Sequence, residues 1–243
     1  MKDNFSHVAS EYATFRPTYP EELYEFIYSQ FSNFDAAWDC GTGSGQVAGV
    51  LSRKFSRVDA TDISEKQLAA AVKQPNIHYT QQPAEATNFP SQHFDLITVA
   101  QAIHWFDFEK FYAEVKRTLK PDGLLVVMGY GLLSISPEID QLMAHFYNVT
   151  IGPYWDPERR YLDEAYQTIP FPFREISTPA FYAELEWSLD HFFGYLGTWS
   201  AVKHYKTSHH SDPLPELRKA LTPLWPEKRI VSFSILTRIG FNT

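Results

Sequence analysis

Asp39-Cys40-Gly41-Thr42-Gly43-Ser44-Gly45 decides how this 243-residue chain is read. The apolar run Ala36-Ala37-Trp38 precedes it, and Val47, Val50, Leu51 and Phe55 follow at the spacing of a helix with one buried face. Strand, tight glycine turn and helix form the unit that brings backbone amides up against a nucleotide-like ligand. Glycine suits the turn because a Cβ would obstruct both the bend and the close approach. About twenty residues on, Asp62 ends a second apolar run, where a carboxylate can accept the ribose hydroxyls of an adenosine. The pair of features points to a nucleoside cofactor.

Outward from that stretch, strands alternate with helices. A first helix starts near Pro20, with Leu23, Phe26, Ile27 and Phe31 on one side and acidic residues in its first turn. A second strand covers residues 57–61, and Ser64 with Gln67 forms a capping box for a helix that turns Leu68, Ala71 and Val72 inward. Strands are expected at 77–80 and 94–100, the latter apolar throughout, as in a parallel sheet covered on both faces. Asp107 caps a helix with a stripe of Phe108, Phe111, Tyr112, Val115 and Leu119. Lys120-Pro121-Asp122-Gly123 then turns into a fifth strand at 124–128. This alternation predicts βαβ units around a parallel sheet.

Beyond residue 130 the texture changes, for ten of the sixteen prolines and four of the six tryptophans lie there. Ser136 and Pro137 start a helix carrying Ile139, Leu142, Met143 and Phe146, and 152–172 reads as irregular and aromatic. Phe181, Ala183, Leu185 and Trp187, and later Val231, Phe233 and Ile235, alternate with period two. That pattern suggests an antiparallel edge pair. No linker divides the chain, so 1–243 is expected to be a single domain. Its parts are an N-terminal lid and helix (1–35), a cofactor-binding core (36–130), cap helices with an edge strand (131–228) and a last strand (229–243).

Net charge is -8, which argues against a phosphate-backbone binder and hence against nucleic acid as a partner. Cys40 is the single cysteine, which leaves no disulfide framework and no cysteine-based metal site. The first ten residues are polar, and the longest aliphatic run, around 124–128, is too short to cross a bilayer. A cytoplasmic protein without a membrane partner, monomeric or homodimeric, is the expectation.

The glycine loop alone leaves the cofactor open. Gly43-Ser44-Gly45-Gln46-Val47-Ala48 also satisfies the G-x-G-x-x-G/A dinucleotide fingerprint, so a nicotinamide oxidoreductase is one reading. Asp39 at the strand end, the complete Gly41, Gly43, Gly45 register and Lys120-Pro121-Asp122-Gly123-Leu124 favour another. On these residues the chain resembles class I S-adenosylmethionine-dependent methyltransferases, and within them the small-molecule group that includes trans-aconitate methyltransferase. Tyr12…Arg16-Pro17…Tyr19-Pro20, Ala84-Glu85, His104-Trp105-Phe106 and, more loosely, Tyr195-Leu196…Thr198-Trp199-Ser200 extend the resemblance.

The resemblance implies an α/β, Rossmann-like sheet of seven strands, mostly parallel with an antiparallel edge. Helices would cover both faces, with a substrate-side insertion after strand five. It implies S-adenosyl-L-methionine as cofactor. Asp39, Gly41, Thr42 and Gly43 would surround the methionine portion. Asp62 would hold the ribose, Ile63 would pack on the adenine, and Ala84 and Glu85 would lie at its edge. Gln101 would lie beside the sulfonium, while Tyr12 and Arg16 would form a lid with Arg16 on the methionine carboxylate. Pro83 stands where many relatives have Asp, which removes one side-chain contact to the exocyclic amine.

His104 is the candidate catalytic group. It would deprotonate or orient an acceptor, or bind a carboxylate as a cation, unless it is only pocket wall. Trp105 and Trp199 are candidate substrate contacts. Arg159 and Arg160 suit an acidic substrate or a solvated helix start. His204, His209 and His210 read as an exposed loop, and no metal is expected. The activity implied is methyl transfer to an oxygen, a carboxylate among the options, or a nitrogen of a small-molecule acceptor. The other readings are the oxidoreductase and a non-catalytic S-adenosylmethionine-binding module.

Overall fold

β1 (Ala36–Cys40) is buried at every position and sits at the centre of the sheet. The structure is a computed structural model and describes residues 15–242. β1 pairs in parallel with β2 (Arg57–Asp62) on one side and with β4 (Phe94–Ala100) on the other. β3 (Ile77–Gln81) extends the sheet beyond β2, and β5 (Leu119–Ser134) beyond β4. The strand order therefore reverses between β1 and β4. In such sheets a crevice opens at that point, beyond the carboxyl ends of the strands.

The far edge is antiparallel. β8 (Arg229–Phe241) pairs with β5 from Leu124↔Phe241 to Ser134↔Ser232. On its other side it carries β7 (Phe181–Trp187) and the two-residue β6 (Arg174–Glu175). The sheet thus has eight strands, one more than expected, because two short segments share the outer side of β8. β5 is also longer than the expected 124–128. It begins at Leu119, and Asp122 takes a positive φ within the run.

Apolar alternation along the strands builds two cores. On one face Ala37, Leu96, Leu124 and Val126 pack with α1 (Glu21–Tyr28) and α2 (Gln46–Leu51). On the other, Trp38, Ile97, Val99, Leu125 and Val127 meet Phe111 and Val115 of α4 (Phe108–Thr118). Asp95 ties strand to turn. Its carboxylate accepts the Ala36 amide at 3.0 Å and the Lys120 ammonium at 2.7 Å, which gives the Lys-Pro-Asp-Gly junction a structural purpose.

Ser64 caps α3 (Glu65–Ala69) as expected, accepting the Gln67 amide. The helix stops at Ala69, so Val72 is exposed rather than inward. After β5, α5 (Pro137–His145), α7 (Leu189–Gly197) and α8 (Ser200–His209) cap the carboxyl end of the sheet, with α6 (Arg160–Asp163) between the first two in sequence. His204 and His209 lie on α8, not in a loop, because the Ser200–His209 run continues as helix past the polar Thr207 and Ser208. Among the described residues no cluster of three His, Cys, Asp or Glu could hold a metal, and no helix is long and apolar enough to cross a membrane.

Candidate active site

At the switch point the glycine loop runs with Gly41, Gly43 and Gly45 all at positive φ. Two of them are fixed by close approach. A Cβ on Gly41 would stand 2.7 Å from the Ala102 Cβ, and one on Gly45 would strike the Tyr79 hydroxyl. A side chain at either position would push the loop off β4 or β3, so the bare backbone is a packing requirement as well as a ligand surface.

Asp39 braces the loop from behind. Its side chain is 1% exposed. One oxygen accepts the Thr42 hydroxyl and the Ala48 amide (3.1 Å), and the other accepts the Thr98 hydroxyl (2.8 Å). Burial nevertheless raises its pKa from 3.8 to about 6, outweighing those three donors. The Thr42 amide donates to the Thr61 carbonyl at 2.9 Å, which fastens the loop to β2 as well. Asp62, at the tip of β2, accepts the Gly43 amide on one oxygen and the Ser64 amide on the other, both at 2.9 Å.

These groups line a cavity of about 910 Å3, part of it open to solvent. Asp39, Gly41, Thr42, Gly43, Asp62, Ile63 and Gln101 all reach it. Sequence reasoning missed Gln67, Phe106 and Tyr130, which complete its walls. The signal for Tyr130 was its place at the carboxyl end of a central strand. The backbone shifts register there, between Tyr130 and Leu133.

Four further expected site residues lie away from this cavity or outside the described residues. Tyr12 lies outside the described residues. Arg16 reaches a second cavity rather than this one. Its guanidinium donates to the Tyr130 hydroxyl at 3.0 Å and lies over the Tyr195 ring. Ala84 and Glu85 do not line the cofactor cavity. Ala84 is packed in the core beneath α4, and the Glu85 carboxylate accepts the Asp107 amide at the start of that helix.

The second cavity, about 450 Å3, adjoins the first and shares Gln101 and Trp105 with it. Gln101 has φ +54°, with its amide on the Met128 carbonyl (2.9 Å) and its side chain on the Tyr130 carbonyl (3.2 Å). A non-glycine residue in that conformation carries a backbone cost, which these two hydrogen bonds help to offset. His104, Trp105 and Trp199 line the second cavity, joined by Trp155 and Arg159. Arg160 instead turns outward over Tyr161.

His104 is 7% exposed, stacked with Tyr166 and 5.0 Å from Trp105. Burial, then the Arg159 and Arg16 guanidiniums, push its pKa from 6.5 down to about 3. Burial and the two guanidiniums thus favour the neutral ring at pH 7 and oppose binding of a carboxylate by His104 as a cation. An imidazole so hard to protonate is also a feeble general base.

A family model described as a methyltransferase domain matches residues 38–127, from the middle of β1 to within β5. A candidate methyltransferase of Dictyostelium discoideum is 37% identical over 90% of this chain and 85% of its own length. The solved structure of a candidate type II methyltransferase from Anaeromyxobacter dehalogenans superposes with a TM-score of 0.87. It is 38% identical over 94% of this chain and 98% of that one. A Bacillus halodurans structure at 16% identity and a TM-score of 0.52 shares the fold. The chain belongs to the class I S-adenosylmethionine-dependent methyltransferases, and S-adenosyl-L-methionine is its cofactor. That membership sets aside the nicotinamide reading of the glycine loop.

The first cavity fits that cofactor. It offers a backbone cradle that side chains would fill and a carboxylate at the tip of the next strand.

Proposed function

We propose that the enzyme transfers the methyl group to an oxygen or nitrogen of a small-molecule acceptor held in the second cavity. The supporting observation is that the two cavities meet at Gln101 and Trp105, so an acceptor in one lies beside a donor in the other. S-adenosylmethionine supplies an already electrophilic methyl group, which leaves alignment and exclusion of water as the protein's main tasks.

In this reading Asp62 accepts the ribose hydroxyls, Ile63 packs on the adenine, and the Gly41–Gly43 backbone borders the methionine portion. Asp39 and Thr42 act through the loop, since their polar atoms are already engaged with it. Gln101 and Trp105 set the approach of the nucleophile. Neutral His104 and Trp199 position the acceptor, with His104 giving or taking a hydrogen bond rather than removing a proton. A nucleophile that is ionised or neutral but nucleophilic at pH 7 suits such a site better than an alcohol, which needs a base.

The test is calorimetric. S-adenosylhomocysteine should bind and raise the melting temperature, and NAD should do neither. Incubation with S-adenosylmethionine and pools of small acids and amines should then release S-adenosylhomocysteine only when an acceptor is present. Absence of heat with both the donor and its demethylated product would end this reading.

A further inference from the structure

Tyr166 packs against His104 without lining the second cavity itself. We propose that Tyr166 is a positioning residue: its hydroxyl donates to Nδ1 of His104, which leaves the ring proton on Nε2 and makes His104 a hydrogen-bond donor toward the second cavity. The consequence for the acceptor rests on the methyl-transfer reading. Such an acceptor presents a lone pair to Nε2, from an oxygen or an unprotonated ring nitrogen, beside the atom that is methylated.

The Tyr166 side chain is fully buried, its hydroxyl is 3.4 Å from Nδ1, and the two rings stack at 24°. Ala165 and Tyr166 both take positive φ, +52° and +60°, a backbone cost for residues that are not glycine. Three hydrogen bonds hold the turn against it. The Tyr166 amide donates to the Tyr161 carbonyl at 2.7 Å, and the Arg238 guanidinium donates to the carbonyls of Tyr166 at 2.9 Å and Ile169 at 3.3 Å. Arg238 is itself paired with Glu175. On β5, Gly129 leaves room for the ring, since a Cβ there would stand 2.8 Å from Cε2 and 2.9 Å from the hydroxyl of Tyr166. Packing alone would be served by phenylalanine, because a buried hydroxyl costs free energy unless it meets a partner.

The two ring nitrogens of an imidazole point in divergent directions, so holding one aims the other. Among the described residues Nε2 of His104 makes no hydrogen bond. It is not a sealed, unsatisfied atom either, so it opens onto the cavity that His104 lines. A neutral imidazole carries one N–H and one bare nitrogen, and the partner of one nitrogen decides which is which. A phenol oxygen shares its lone pair with the ring, which makes the group a better donor than acceptor. The bare imidazole nitrogen is the stronger base of the two. The favoured contact therefore runs from the Tyr166 hydroxyl to Nδ1.

The experiment is nitrogen-15 NMR at pH 7 on the full chain labelled at histidine. Ring signals missing from His104→Gln identify those of His104. The unaltered protein is expected to show the Nε2–H form, with Nδ1 shifted from the position of a bare nitrogen by the hydrogen bond it accepts. Tyr166→Phe, which keeps the ring and its packing, should lose that shift. A merely structural role for Tyr166 would leave it in place.

An Nδ1–H ring, an Nδ1 signal at the bare position, or a signal unmoved in Tyr166→Phe would each overturn the inference. The first two are read on the unaltered protein and need no Tyr166 variant to fold. Should S-adenosylhomocysteine fail to bind while the Nδ1 signal behaves as expected, the methyl-transfer reading falls and the positioning role stands.

Discussion

The backbone amide of Gly43 donates to the carboxylate of Asp62 across 2.9 Å, joining the glycine loop after β1 to the tip of β2. One carboxylate thus shapes the cradle and faces the cavity that the cradle forms. Asp62→Ala should weaken S-adenosylhomocysteine by about two orders of magnitude, since it removes an ionic acceptor for hydroxyls and loosens the loop. Asp62→Asn, which keeps an acceptor oxygen, should lose less. Calorimetric titration of both variants checks the order, and equal losses would show that the negative charge, which both variants remove, carries the effect rather than the hydrogen bond to the loop.

Gly41 and Ala102 meet across the site, with 2.7 Å between an added Cβ and the existing one. Gly41→Ala should therefore reduce cofactor affinity and destabilise the fold by about 1–3 kcal/mol through overpacking and a positive φ. Ala102→Gly, made in the same chain, should recover the packing part but not the backbone part. A double-mutant cycle on the urea midpoint measures the coupling, and strict additivity would contradict the contact.

Asp39 gives a pH signature. Its folded pKa, about 6, lies above the unfolded 3.8 because of burial. Between those values the folded chain holds a proton that the unfolded chain has released. Stability from this group is thus present below pH 4 and lost as pH rises through 6. The interval corresponds to ~3 kcal/mol. Relative to the parent, Asp39→Asn should lose less stability, or gain more, as pH rises from 4 to 6. Parallel pH profiles for the two proteins would refute the assignment.

His104 has the opposite sign. With a folded pKa of about 3, below the usual 6.5, it costs stability as pH falls through 6.5, because the unfolded chain then takes up a proton the folded one refuses. His104→Gln should be less acid-sensitive than the parent. The same depression predicts that the kcat/KM profile with a carboxylic acid acceptor shows no histidine limb between pH 6 and 8. A limb near 6.5 that disappears in His104→Gln would restore the general-base role.

The parallel half of the fold was readable because β1 and β4 are buried along nearly their whole length and two of the helices between strands begin with an identifiable cap. Ser64 and Asp107 both accept from the third residue of their helices, as their sequence context indicated. The edge was harder. β6 consists of Arg174 and Glu175, both exposed, and two residues carry no periodicity. Around the cofactor, Asp62 and the glycines were legible since backbone geometry dictates residue type there. Arg16 was not, because its destination depends on the Tyr130 hydroxyl, 114 positions away. Trp155 and Arg159 sit in short irregular turns whose folding is set by packing on α8 rather than by local pattern.

β8 serves three neighbours with one run of thirteen residues. While the chain is being synthesised, the outer edge of β5 has no partner until residues 229–241 emerge, and β6 and β7 have nothing to pair with. Closure of that edge joins Leu124 to Phe241, a contact of very long sequence separation, and such contacts form slowly. The nascent protein must therefore carry an open, apolar strand edge while the residues between β5 and β8 are made, the stage at which a chaperone would matter most to it.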